Sequence, residues 1–114
     1  MLCTEALDPL VEVDCYPIGV IRMIDDEEID DKIIALPFGD PTWNFYHDID
    51  QLPPHYASEI THFFEVYKGL EHKHTTTSDA LTREQAVEVI KDCMQRYEVH
   101  FCGVRPEKEP HTAL

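Results

Sequence analysis

A chain of 114 residues has room for one domain with a modest core and little spare length for a deep cleft. Its 9 Lys and Arg stand against 23 Asp and Glu, a formal charge of -14 that repels both nucleic acid phosphates and anionic membrane surfaces. No stretch approaches the roughly 20 apolar residues of a membrane helix, and MLCTEALDP at the N-terminus lacks a leader's basic-then-apolar pattern, so a cytoplasmic protein is expected.

From Leu10 to Ile24 the pattern is extended: Val11, Val13 and Cys15 alternate with Glu12 and Asp14, and Val20, Ile21, Met23 and Ile24 continue as a mostly buried strand. Six carboxylates then fall within seven positions, from Asp25 to Asp31, and Ile33 to Leu36 supplies a return strand, so the segment reads as a hairpin with an acidic tip. Phe38 to Gln51 is irregular, punctuated by Gly39 and Pro41, with Trp43, Phe45 and Tyr46 placed to cover the core edge.

Pro53 and Pro54 suit the first turn of a helix, where the missing N–H goes unused, and Ile60, Phe63, Phe64 and Tyr67 recur at helical spacing to about Leu70. His72 to Ala80, HKHTTTSDA, is polar and reads as an exposed connection or a weak edge strand with little core. Thr82 and Gln85 have the form of a capping box, and Ala86, Val87, Ile90, Met94 and Tyr97 make the expected buried stripe of a second helix. The domain is expected over residues 1–103, with a disordered tail over 104–114, where prolines and charges show no periodicity. Cys3, Cys15, Cys93 and Cys102 form no CxxC pair and are expected to be buried free thiols in a reducing compartment.

In the acidic turn, Asp25 and Asp30 lie nearest the two strands, so a closed hairpin can aim both carboxylates at one point. Magnesium accepts such a pair with water completing its octahedral shell, and the glycine and spacing of a calcium loop are absent. On residue types alone the same turn also reads as a solvated acidic loop. Lys32 can hold a phosphate oxygen beside such a metal, or pair at the surface with Asp30 or Asp31. Tyr67 and Lys68 offer a hydroxyl and a second cation, or else a core aromatic and a lysine favoured by the helix C-terminus. His62, His72 and His74 lack HxxxH spacing and point to no metal site, and no GxSxG, P-loop or GxGxxG occurs.

Two segments together resemble the soluble inorganic pyrophosphatases of family I. PIGVIRMIDDEEIDDKIIALP is similar to that family's PxGxxxM strand, acidic turn and DxKxxAxP return, and HDIDQLPPHYASEITHFFEVYKGLE to its DIxDLPxxxxxxIxxFFxxYKxLE helix. The resemblance extends over roughly residues 2–99. It implies an α+β fold, a partial OB-like β-barrel of hairpin strands with two C-terminal α-helices packed on it. By matching position it implies that Asp25 and Asp30 bind Mg2+ with Asp26 as a supporting carboxylate, while Lys32, Tyr67 and Lys68 hold phosphate. Glu27, Glu28 and Asp31 are left as solvated charges.

The implied reaction is magnesium-dependent hydrolysis of pyrophosphate to two phosphates by a metal-activated hydroxide, with no covalent nucleophile. The DGDPxD segment that the family carries in its first half is absent, and Asp8–Pro9 does not replace it. The resemblance therefore implies weak or no activity for this chain by itself, whether it is a truncated gene product, starts inside a longer reading frame, or is joined by further copies or by a separately encoded N-terminal half. An alternative is a non-catalytic module that oligomerises with, or modulates, an intact pyrophosphatase.

Overall fold

Ile18, Val20, Ile21 and Met23 are all fully buried, a near-continuous run that only a strand covered on both faces can accommodate. In the computed structural model, which describes residues 1–71 and 75–103, this run is the centre of β1 (Cys15–Asp25). The return arm of the hairpin forms β2 (Glu28–Ile29) and β3 (Lys32–Pro37), and β4 (Thr75–Leu81) lies on the other side. Ile21 pairs with Lys32 on one edge and with Ala80 on the other, so β1 is central and all its pairings are antiparallel.

Asp26 and Glu27 join β1 to β2 with φ of 48° and 70°. Two consecutive left-handed residues are the pattern of the tight hairpin turn whose twist matches that of the strands. Near its start β1 carries an irregularity: the register to β3 shifts between Pro17 and Gly19. Gly19 is needed there, because a Cβ would lie 2.8 Å from the Ile49 side chain and 2.8 Å from the Leu81 carbonyl oxygen.

The helix α1 (Pro54–Gly69) opens on prolines and packs along β4, and α2 (Arg83–Tyr97) packs against β1. Thr82 and Gln85 cap α2 reciprocally, as their spacing predicts. A single 3-10 turn at Ile49–Gln51 is held the same way by Asp48 and Gln51, and it puts Ile49 and Leu52 into the core with Ile18, Ile21, Met23, Ile34 and Leu36. The result is an α+β fold with an open sheet, without barrel closure among the described residues.

Several expectations are corrected. Leu10–Asp14 is not part of the strand. Trp43 and Tyr46 pack on the core, but Phe45 points to solvent. In α2 only Ala86 is fully buried; Val87 and Ile90 are half-buried, and Met94 and Tyr97 are exposed. Periodicity marks an apolar face, whereas burial needs a neighbour over it. Cys15, Cys93 and Cys102 are exposed and Cys3 is half-buried; all four are free. Of the two readings for the polar stretch after α1, the strand holds from Thr75, while His72 and His74 and the tail from residue 104 lie outside the described residues.

Candidate active site

The hairpin end and the last turn of α1 meet at Asp25 and Lys68. Asp25 closes β1, and its Oδ2 accepts a 2.6 Å hydrogen bond from Lys68 Nζ; the side chains are 14% and 11% exposed. A charge-assisted bond of this length returns part of the cost of bringing both groups out of water. The hydrogen bond to Asp25 raises the Lys68 pKa above its ordinary value and outweighs burial, with the fields of Asp25, Tyr67 and Glu71 adding to it. Lys68 also sits in the final turn of the helix, where backbone carbonyls favour a cation.

A second pair stands at the start of β3. Lys32 Nζ donates to Asp30 Oδ1 at 2.7 Å, with the side chains 27% and 34% exposed, and the Asp30 backbone N–H is tied to the Met23 carbonyl. Lys32 Nζ also lies 5.6 Å from the centre of the Phe64 ring, and Lys68 Nζ lies 5.4 Å from that of Tyr67. Phe64 and Tyr67 meet edge to face at 6.4 Å, so two aromatic rings on one helix bridge the two ammonium groups.

Of the six residues expected here, five are thus linked by direct contacts or by one intervening ring: Asp25 with Lys68, Lys68 with Tyr67, and Asp30 with Lys32. Asp26 stands apart at the exposed tip of the turn. Glu27 and Glu28 are exposed as expected, but Asp31 is not a solvated charge. Its carboxylate is 11% exposed and receives Arg22 in a two-point contact, Nε at 3.3 Å and Nη2 at 3.4 Å. The signal for this pair was present, since the hairpin register that opposes Ile24 to Ile29 also brings Arg22 opposite Asp31. Phe64 as a platform under Lys32, and the Thr77 to Glu65 hydrogen bond tying β4 to α1, had no such local signal.

Two carboxylates suit a hard cation that takes one or two protein oxygens and otherwise keeps water and phosphate, as Mg2+ does. They do not make a protein cage: among the described residues no group of three or more His, Cys, Asp and Glu is arranged to hold a metal. Asp25 and Asp30 supply the type of oxygen donor that such a cation accepts.

The family model for inorganic pyrophosphatases matches residues 1–98. The chain belongs to the inorganic pyrophosphatase family. It is 43% identical over 101 residues to soluble inorganic pyrophosphatase 2 of Chlamydomonas reinhardtii, covering 89% of this chain and 53% of that protein. Soluble inorganic pyrophosphatase 1 of Arabidopsis thaliana is 50% identical over 80 residues, covering 70% of this chain and 38% of that protein. Among solved structures, the inorganic pyrophosphatase of Thermus thermophilus superposes with a TM-score of 0.78 at 32% identity, over 85% of this chain and 57% of the other. This pyrophosphatase-family chain therefore spans about half the length of the relatives it matches.

Proposed function

We propose that Asp25, Asp30, Lys32, Tyr67 and Lys68 form the phosphate-facing part of a magnesium-dependent inorganic pyrophosphatase site, with pyrophosphate as substrate. The observation that carries this reading is the meeting of the acidic hairpin with the end of α1, which brings Lys68 within 2.6 Å of Asp25. Asp25 and Asp30 would hold Mg2+, with Asp26 as a supporting carboxylate at the tip. When bound, Mg2+ supplies positive charge to phosphate oxygens and lowers the pKa of a coordinated water. Lys32 and Lys68 bind phosphate oxygens and offset the charge that develops on the leaving phosphate. Tyr67 donates its hydroxyl to the same group, and Phe64 limits where Lys32 can swing. Hydrolysis on these terms needs no covalent nucleophile.

We read the remainder of the site as lying outside these 114 residues, in the part of the relatives that this chain does not span, or in a further copy. Phe63, Val66, Tyr67 and Leu70 leave an apolar face on α1, Leu70 being 83% exposed, which supports a partner lying against it. A cytoplasmic setting is part of the proposal; among the described residues no helix is long and apolar enough to cross a membrane.

The test is phosphate release from pyrophosphate with Mg2+. The purified chain is expected to release little, and co-expression with the first half of the Chlamydomonas relative is expected to bring release that Lys32→Ala abolishes. Failure of every such pairing to release phosphate, in soluble complexes, would sink the catalytic reading. The exposed α1 face also supports the second reading, a non-catalytic module that associates with an intact pyrophosphatase. That reading expects association independent of metal and unaffected by Lys32→Ala.

A further inference from the structure

Each lysine of the site occupies the same kind of place, between a carboxylate and an aromatic ring. Lys68 Nζ is 2.6 Å from Asp25 and 5.4 Å from the Tyr67 ring centre; Lys32 Nζ is 2.7 Å from Asp30 and 5.6 Å from the Phe64 ring centre. Six carboxylates within seven positions would repel one another strongly, and here Arg22, Lys32 and Lys68 take one each.

We propose that Lys68, and to a lesser degree Lys32, is a built-in counter-cation that competes with the divalent metal for its carboxylate and is released toward phosphate when the metal binds. The proposal rests on the assignment of Asp25 and Asp30 as metal ligands. An ammonium 2.6 Å from Asp25 Oδ2 occupies one of the two oxygens a metal would use, and two cations on one carboxylate repel at short range. Once displaced, the ammonium keeps a favourable seat over its ring and has donors free for an anion. Metal binding and phosphate binding are thereby coupled, each raising the affinity for the other, because both need Lys68 to leave Asp25. The tighter and more buried Asp25–Lys68 pair sets the larger share of the coupling. Besides binding phosphate, Lys68 thus tunes metal affinity through its resting contact.

The experiment is titration of the chain with Mn2+, following free Mn2+ by electron paramagnetic resonance. Lys68→Met keeps the apolar stem and removes the charge; it is expected to bind Mn2+ at least roughly fivefold more tightly than the unaltered chain, within the usual range of site coupling. Lys68→Arg restores the charge and is expected to bring affinity back, and Lys32→Met to give a smaller gain in the same direction. Circular dichroism of each variant checks the fold, and Lys32→Met, at the more exposed pair, carries the expectation if Lys68→Met does not fold. Unchanged or weaker Mn2+ binding in the folded Met variants, with binding lost in Asp25→Asn, overturns the counter-cation while leaving the metal ligands standing. No Mn2+ binding by any folded form overturns both.

Discussion

Lys68 and Asp25, 43 positions apart, are joined by a 2.6 Å ion pair that locks the last turn of α1 onto the end of β1. Because both side chains are largely out of solvent, removing one leaves the other charge poorly compensated, which costs more than the pair itself contributes. Lys68→Ala is therefore expected to lower the Tm by more than Lys32→Ala, whose more exposed pair is worth about 1 kcal/mol at most. The double variant Asp25→Asn with Lys68→Met should be more stable than Lys68→Met alone, since it removes both charges together. Differential scanning calorimetry of the four variants decides the order, and a double variant no more stable than Lys68→Met alone would reject this account.

The turn that carries the acidic tip is strained for its sequence. Asp26 and Glu27 both hold positive φ, which costs a residue with a Cβ about 1 kcal/mol or more relative to glycine. Glu27→Gly relieves that strain and one like-charge contact, while giving the unfolded chain extra freedom that returns part of the gain. The expected net effect is about 0.5–1 kcal/mol of added stability, read as a higher urea midpoint with unchanged slope. A lower midpoint would mean that the Glu27 side chain holds the turn in a way its exposure does not suggest.

How far this architecture could be read from the chain depends on the range of the interaction involved. The near-continuous apolar runs Val20–Ile24 and Ile33–Leu36, the proline start of α1 and the Thr82–Gln85 box are local signals, and the structure follows them, whereas the alternation from Val11 to Asp14 does not become strand. Thr75–Leu81 was ambiguous because threonine-rich polar segments become strands only when a neighbour supplies the ladder, and β1 does so. The exposure of Met94, Tyr97 and Phe45 was illegible for the converse reason, as nothing local tells whether an element lies over a given face. At the site, Lys32 with Asp30 is a two-residue spacing that the sequence itself offers. Lys68 with Asp25 depends on how α1 crosses the sheet, and only the family resemblance pointed to both residues.

Gly19 marks the closest approach of the core. A methyl group there would stand 2.8 Å from Ile49 and from the Leu81 carbonyl oxygen, and the latter is backbone that cannot rotate aside. Gly19→Ala should force β1 away from β4 and the Ile49 turn at a cost of about 1–3 kcal/mol, typical of an overpacked core. Equilibrium urea unfolding measures this directly. A loss below about 0.5 kcal/mol would show that the sheet yields more easily than close packing allows.

Asp40 fastens the N-terminal segment to the loop after β3, and its protonation should release it. Its carboxylate accepts from the Thr4 hydroxyl at 2.7 Å, the Thr4 N–H at 2.8 Å, and the Thr42 and Trp43 N–H groups at 2.9 and 3.0 Å. Desolvation pushes its pKa upward, but these hydrogen bonds together outweigh it and hold the group at about 2, below its ordinary 3.8. With the folded value depressed, the contribution to stability is complete above pH 3.8 and is lost as the pH falls from there toward 2. Asp40→Asn keeps one carbonyl acceptor but cannot titrate, so it should be less stable at pH 7 and show a shallower decline between pH 4 and pH 2. Urea midpoints at pH 7, 4, 3 and 2 for both forms make the comparison. Parallel declines across the acid range would mean that the Thr4 contacts do not follow the ionisation of Asp40.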